Sequence, residues 1–344
     1  MGKKKRVRIE DIAHACGVSR ATVSVALSGR MDMRISEETR SMVRSKAEAL
    51  GYVYSSGGRG GPPGRRTLLF LHGDLSSGHV GTSFFVRVAQ ELRALGPSRG
   101  FMVIEAAPPV EEQSDGLMVR RLVADFRPVA CVTHNILYAA AAKAADPELP
   151  VLLLQGSGGE ANHWDASYIV DDRRVGELAA AALASGGRRR AVLFFPETGT
   201  HRCPRERLEG FRDAFQRADG SLELCTLPSL VPHRVEAYLT EWIARAKAAA
   251  AAFDAAYCYS DSVALVCLRT LQRSGFRVPA DMAVIGTDNL FWGAFSLPSL
   301  TTMELNEGLF ALRIADDLDA ALRGSPWSRM TIRIPVSLIK RESA

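Results

Sequence analysis

Between Asp11 and Ser28 the chain reads Asp-Ile-Ala-His-Ala-Cys-Gly-Val-Ser-Arg-Ala-Thr-Val-Ser-Val-Ala-Leu-Ser, two short helical runs with a glycine between them. Few patterns restrict folding so tightly. The first run, near Ile9 to Cys16, turns Ile12, Ala13 and Cys16 to one side. The second, near Arg20 to Leu27, offers Val23, Ala26 and Leu27 to the same core and leaves a small, polar face outward. Gly17 supplies the permissive backbone that a tight turn between the helices needs. A third helix closes the unit: Ser36 is a good N-cap, Glu37 and Glu38 suit the positive helix end, and Val43 and Ala47 lead to Leu50 before Gly51. The expected product is an all-α three-helix, helix-turn-helix headpiece, and the function it suggests is DNA reading.

The charge distribution bears on that reading. Residues 1–66 carry 14 Lys and Arg against 6 Asp and Glu, a balance of +8, whereas the remaining 29 basic and 32 acidic residues balance at −3. Polyanion-binding charge therefore sits at the N-terminus. Lys3-Lys4-Lys5-Arg6 is either a solvated tail or, beside a helix-turn-helix, a phosphate contact.

With 344 residues, 47% of them hydrophobic, the chain can bury a full core and is long enough for more than one domain. No apolar run reaches the roughly 20 residues that span a bilayer, and no apolar segment follows the basic N-terminus as in an export signal. A cytoplasmic protein without membrane association is expected. Cys16, Cys131, Cys203, Cys225, Cys258 and Cys267 form no C-x-x-C pair and have no histidine at metal-ligand spacing, so they read as reduced packing thiols, with no metal and no cofactor implied.

Residues 55–66, Ser-Ser-Gly-Gly-Arg-Gly-Gly-Pro-Pro-Gly-Arg-Arg, break the helical periodicity abruptly and mark a linker between a headpiece at 1–54 and a core at 67–344. From Thr67 onward short apolar strands alternate with helical stretches, the pattern of a parallel sheet wrapped by helices. Leu68–Leu71, Val129–Val132, Val151–Leu154, Ala191–Phe195 and Met282–Gly286 are examples, and two such sheets fit the length.

In the headpiece, Asp-Ile-Ala, Gly-Val-Ser, Thr-Val-Ser, Ile-Ser-Glu-Glu-Thr-Arg and Leu-Gly-Tyr together resemble LacI/GalR-type transcriptional regulators. The resemblance continues through Val170-Asp-Asp-Arg-Arg-Val-Gly, Arg205-Glu-Arg-Leu-Glu-Gly-Phe, Ser260-Asp-Ser-Val-Ala, Gly286-Thr-Asp-Asn and Leu297-Pro-Ser-Leu-Thr-Thr to Pro335-Val-Ser-Leu, covering essentially the whole chain. It implies an α/β two-lobed, periplasmic-binding-protein-like core with a small effector, a sugar or sugar derivative, between the lobes. Lobe 1 is expected at about 67–158 and 303–325, and lobe 2 at about 159–300 with a final strand near Ile332 to Lys340 in 332–344. The partners it implies are a double-stranded DNA operator, the effector and a second copy of the chain, paired largely through the first lobe, where the Ala-rich stretch Ala139 to Ala145 lies.

By the same resemblance Arg20, Ala21 and Val25 hold base-reading positions, while Ser19, Thr22, Ser24, Ser36 and Thr39 lie where phosphates or neighbouring bases are touched. Arg20 can fork onto guanine, or else contact a phosphate; Ala21 and Val25 offer only apolar contact to a thymine methyl. Val25 departs from the long polar or basic residue common there, so a different half-site is expected. Arg8 replaces a capping Thr and exchanges that cap for a phosphate contact. In the linker, Gly57, Gly58, Gly60 and Gly61 oppose a hinge helix by about 1 kcal/mol each. Gly61 stands about where a wedge leucine belongs, and only Arg59 remains of the usual Ala-Arg pair. A flexible hinge and a weakly bent operator are expected.

For the effector, Arg207 and Asp288 are the leading candidates and Asp261 the next, with Phe84, Phe85 or Trp292 as aromatic faces. Competing structural roles are a pairing of Arg207 with Asp261, a capping role for Asp288, and core packing for Phe84 and Phe85. Gln155-Gly-Ser-Gly-Gly replaces an aspartate that many relatives direct at ligand hydroxyls. An enzyme or a transport solute-binding protein on the same core is the rival reading. No catalytic signature such as G-x-S-x-G or H-E-x-x-H supports the first, and residues 7–52 together with the missing signal peptide oppose the second.

Overall fold

The computed structural model describes residues 9–28, 35–50, 66–73, 82–108, 116–156, 163–197, 202–248, 253–327 and 329–344. Arg8, Arg59 and the linker up to Arg65 lie outside the described residues. The chain divides into two compact units, with the boundary in the main chain between Arg66 and Thr67.

In the N-terminal unit, α1 (Ile9–Cys16), α2 (Arg20–Ser28) and α3 (Glu37–Ala49) enclose one small core. Ile12, Val23, Ala26 and Val43 are fully buried there, joined by Ala13, Leu27 and Ala47. Gly17, at φ +65°, makes the turn that Gly17 was expected to make. Cys16 only lines the edge of this core, and Leu50 stays exposed beyond the end of α3.

The large unit holds two parallel sheets. The first has the order β11-β5-β4-β3-β1-β2, built from β1 (Arg66–Leu71), β2 (Phe101–Ala106), β3 (Ala130–Thr133), β4 (Val151–Leu154), β5 (Ala166–Val170) and β11 (Met330–Ile334). The second has the order β7-β6-β8-β9, from β6 (Arg190–Pro196), β7 (Ser221–Leu227), β8 (Ala255–Cys258) and β9 (Ala283–Ile285). Central strands such as β3, β4 and β8 are buried along their whole length, as parallel strands covered on both faces must be. The helices used below are α4 (Thr82–Arg99), α7 (Asp172–Ser185), α8 (Arg202–Arg217), α9 (Pro232–Ala248), α10 (Asp261–Arg273) and α11 (Glu307–Leu322).

This register moves the lobe boundaries. Residues 159–170 were expected in lobe 2, but β5 pairs in parallel with β4, Leu153 opposite Ser167, and with β11 on its other side. The first lobe therefore runs through Val170. The expected final strand is also two strands: β11 completes the first sheet, and β12 (Ser337–Ile339) pairs antiparallel with β10 (Thr302–Glu304). Pro335, which has no N–H to extend a ladder, stands at the break. The chain thus crosses between lobes after Val170, near Leu305–Asn306 and near Pro335–Val336. Asn306 Nδ2 ties two of these crossings together by donating to Pro335 O at 2.6 Å.

Candidate functional site

On the headpiece, a Ser-x-x-Thr pattern occurs at two helix starts with one geometry. Ser19 Oγ accepts the Thr22 N–H at 3.0 Å and Ser36 Oγ accepts the Thr39 N–H at 3.2 Å, each hydroxyl also touching the threonine Oγ1. The Ser19 and Ser36 hydroxyls thus cap α2 and α3, with the Thr22 and Thr39 hydroxyls beside them, each keeping further hydrogen-bonding capacity. Ala21 and Ser24 are exposed on α2, and Thr22 and Val25 are half-buried. The Arg20 side chain is 71% exposed, and its Nη2 lies 2.8 Å from Glu10 Oε1 on α1. The sequence reading missed Glu10, because pairing across the turn depends on how the helices cross.

In the large unit a cavity of about 700 Å³ lies where strands of both sheets end. Phe85, His134 and Gln155 line it from the first lobe, and Arg202, Cys203 and Tyr259 from the second. His134 and Gln155 follow the carboxyl ends of β3 and β4, and Tyr259 follows β8, the usual place for ligands in open parallel sheets.

Of the six effector candidates, Phe85 alone is among the described residues that line this cavity; Arg207, Asp261, Asp288, Phe84 and Trp292 are not. Arg207 lies one layer behind it: Nε donates to Asp172 Oδ1 at 2.8 Å and Nη1 to Tyr259 O at 3.1 Å, and the guanidinium sits 5.1 Å from the Tyr259 ring centroid. Its partner is Asp172, not Asp261. Gly176 and Gly210 set this arrangement, since a Cβ on Gly176 would meet Arg207 O at 2.0 Å and one on Gly210 would meet Arg173 O at 2.1 Å. Only glycine lets α7 and α8 approach closely enough to place Asp172 against α8. Arg202 Nη2 reaches Asp172 Oδ2 at 3.1 Å as well, so two guanidiniums share one fully buried carboxylate.

Asp261 is a structural hub. Its Oδ1 accepts from Thr302 Oγ1 at 2.5 Å and its Oδ2 from Leu290 N at 2.7 Å, and the side chain is fully buried. Burial pushes its pKa up to about 6 against the pull of those hydrogen bonds. Asp288 is 7% exposed, adopts φ +112°, and has no hydrogen bond to its carboxylate among the described residues. The short helix that follows has no side-chain cap, from Asp288 or from another residue, among the described residues. Burial raises the Asp288 pKa, Arg207 opposing. Phe84 is a core residue, edge-on to Phe310 at 5.1 Å, and its neighbour Phe85 faces the cavity instead. Trp292, 70% exposed on the short 3-10 helix Phe291–Phe295, lies edge-on to the Phe291 ring.

His134 stacks on Phe85 at 3.9 Å with 13° between the ring planes, and its Nε2 accepts the Gly73 N–H at 2.8 Å. Burial, with the field of His72, lowers its pKa to about 4, so the ring is neutral at neutral pH. Gln155 holds φ +57°, and its Oε1 accepts from both Val170 N at 2.8 Å and Arg202 Nη2 at 3.1 Å. The second bond joins the lobes. Arg333 on β11 reaches Glu206 on α8 at 3.4 Å and adds another link. Gln155 was noticed in the sequence only as a missing aspartate; its latch role depends on Arg202 arriving from the other lobe. Among the described residues no group of His, Cys, Asp and Glu could hold a metal, and no helix is long and apolar enough to cross a membrane.

A helix-turn-helix unit joined to a two-lobed core with a cavity between its sheets defines a ligand-responsive regulator of transcription. Residues 8–55 match the lacI family of bacterial regulatory proteins, and residues 180–344 match a periplasmic binding protein-like domain. The protein is a DNA-binding transcriptional regulator. It is 25% identical over 347 aligned positions to the HTH-type transcriptional regulator GalR of Escherichia coli K12, covering 97% of this chain and 95% of GalR. It is 26% identical to the sucrose operon repressor of Escherichia coli, covering 97% and 98%. The lac repressor dimer bound to operator and the anti-inducer ONPF shares the fold at a TM-score of 0.74 and 22% identity, covering 98% of this chain and 99% of that one.

Proposed function

We propose that the protein is a cytoplasmic repressor whose operator affinity is set by a small effector, a sugar or sugar derivative, held in the cavity between the lobes. The observation that carries this reading is the double character of the cavity wall. Arg202 both lines the cavity and bonds Gln155 of the other lobe, so a ligand there changes how the lobes are held together. The sugar class is supported by relatives such as the sucrose operon repressor. The protein acts by binding and catalyses no turnover. In place of Arg207, Asp261, Asp288, Phe84 and Trp292, the effector contacts we propose are Phe85, His134, Gln155, Arg202 and Tyr259, with Arg207 supporting Tyr259 from behind.

For DNA, Arg20 leaves Glu10 to fork onto guanine, Ala21 and Val25 make apolar base contacts, and Ser19, Thr22, Ser24, Ser36 and Thr39 address the backbone. Reading two half-sites takes two copies. We place an apolar part of that dimer surface on the second lobe, where Phe291, Trp292, Phe295 and Leu297 are 67–83% exposed, in addition to the first-lobe surface expected from the sequence. Isolated monomers rarely leave such a patch uncovered, and the lac repressor, of the same fold, is described as a dimer on operator. Selection of bound genomic fragments with the full-length protein, followed by titration of sugars against the selected site, tests the reading. A two-fold-related site released by one class of sugar is expected; selection of no preferred sequence refutes it. Trp292→Asp should move the protein from dimer toward monomer in sedimentation, and an unchanged dimer rejects the patch.

A further inference from the structure

The cavity differs from what a fully hydroxylated ligand needs. Among the described residues Glu197 and Thr226 line it with exposed polar side chains, and much of the remaining polar lining is engaged within the protein. Arg202 is spread over Asp172, Glu206 and Gln155, the Gln155 carbonyl accepts two bonds, the Tyr259 hydroxyl lies 3.6 Å from Cys203 Sγ, and Ser229 Oγ accepts from Val231 N. Among the described residues one buried lining donor, Arg202 Nε, has no hydrogen-bond partner. A ligand with a hydroxyl on every carbon would therefore leave many of its groups desolvated and unpaired in this part of the cavity, which is costly for each. The second-lobe wall is instead apolar, through Pro196, Pro204, Leu227, Pro228, Leu230 and Val231. Facing it from the first lobe is the Phe85–His134 stack, an uncharged flat platform. The volume, about 700 Å³, falls within the range used by drug-sized ligands and exceeds what one sugar ring fills.

We propose that the effector carries an aromatic substituent on its hydroxyl-bearing part, an aryl glycoside in chemical class, with the aryl group lying between the Phe85–His134 stack and the Leu230–Val231 wall. The inference rests on the reading of this cavity as the effector site. Aromatic groups favour offset-stacked and edge-to-face contacts with a platform of this kind. Arg202 Nε and the Gln155 amide nitrogen, neither with a partner among the described residues, then serve the polar end of the ligand, so that few polar groups are buried without partners.

The test uses the full-length protein and calorimetric titration with matched pairs: methyl and phenyl glycosides of the common hexoses and pentoses, with benzyl alcohol as an aryl probe lacking sugar. For whichever sugar binds, the phenyl glycoside should bind at least about tenfold more tightly than the methyl glycoside. That ratio should shrink to about threefold or less in both Phe85→Ser and Leu230→Ser, which act from opposite walls. Two variants guard against one failing to fold. Equal binding of methyl and phenyl glycosides, or tighter binding of the methyl form, overturns the aryl subsite while leaving the sugar-effector reading intact. Binding of benzyl alcohol, lost in the two variants, with no binding of any glycoside, supports the aryl subsite and overturns the sugar reading. No binding by any probe overturns the proposal.

Discussion

Arg207 Nε donates to Asp172 Oδ1 at 2.8 Å, and the two side chains are only 4% and 0% exposed. An ion pair this deep is held by its geometry: taking away one partner strands the other charge in a medium that solvates it poorly. Arg207→Met should therefore destabilise the core by about 3 kcal/mol, the lower end for a broken buried pair because Arg202 remains beside Asp172. Urea unfolding followed by tryptophan fluorescence measures this. A loss of effector response with unchanged stability would return Arg207 to the ligand.

The approach of α7 and α8 depends on glycine. Adding a methyl group in Gly176→Ala sets Cβ 2.0 Å from a backbone carbonyl oxygen, which cannot rotate away. The helices must separate, at a cost of about 3 kcal/mol, the upper end for overpacking. The same melts should show a lowered midpoint, whereas Gly187→Ala, with open space around it but φ +80°, reports backbone strain alone. Equal losses in the two variants would show that helix separation is not the cause.

In the headpiece, Glu10 holds the Arg20 guanidinium that we propose reads DNA. An exposed pair of this kind contributes about 0.2–1 kcal/mol, so Glu10→Gln should tighten operator binding by up to about fivefold. Arg20→Ala should instead cost about 1–3 kcal/mol of discrimination at one base pair. Fluorescence anisotropy on the selected operator and on single-base variants measures both. Weaker binding by Glu10→Gln would mean that the pair orients Arg20 rather than restrains it.

Three buried carboxyls give the core an unusual pH response. Burial lifts Asp261 to about 6, lifts Glu307 to about 7 despite its ion pair with Arg87, and raises Asp288 in the same direction. Each holds a proton more firmly folded than unfolded; the contributions of Asp261 and Glu307 are complete below about pH 4 and are lost as pH rises through about 6 and about 7, and Asp288 acts in the same sense. His134, lowered to about 4, acts in the opposite sense: its contribution is present above about 6.5 and lost as pH falls through 4. Between pH 7.5 and 5.5 the carboxyls outweigh the single histidine. The unfolding midpoint of the core, which contains all four tryptophans, should be on the order of 5 °C higher at pH 5.5. A lower midpoint at pH 5.5 contradicts the assignment.

Local chemistry was legible in the sequence. The spacing of Ile12, Val23 and Val43, the glycine at position 17 and the cap at Ser36 act within a few residues of one another, and the headpiece follows from them together with the strand–helix alternation of the core. Much less of the cavity was legible. Arg207 and Asp288 lie in recognisable runs, but a run of residues does not say whether a guanidinium faces a ligand or a carboxylate 35 residues away. That was decided by the close packing of α7 on α8. The parallel register of β5 beside β4 likewise moved the lobe boundary, and the crossing segments brought Thr302 onto Asp261 and Arg202 onto Gln155. The sequence by itself determined the elements and the DNA-reading unit, because propensity, capping and periodicity are short-range. Only the tertiary structure decided which polar groups face the cavity, because pairing between residues far apart in the chain consumes some of them and leaves others free.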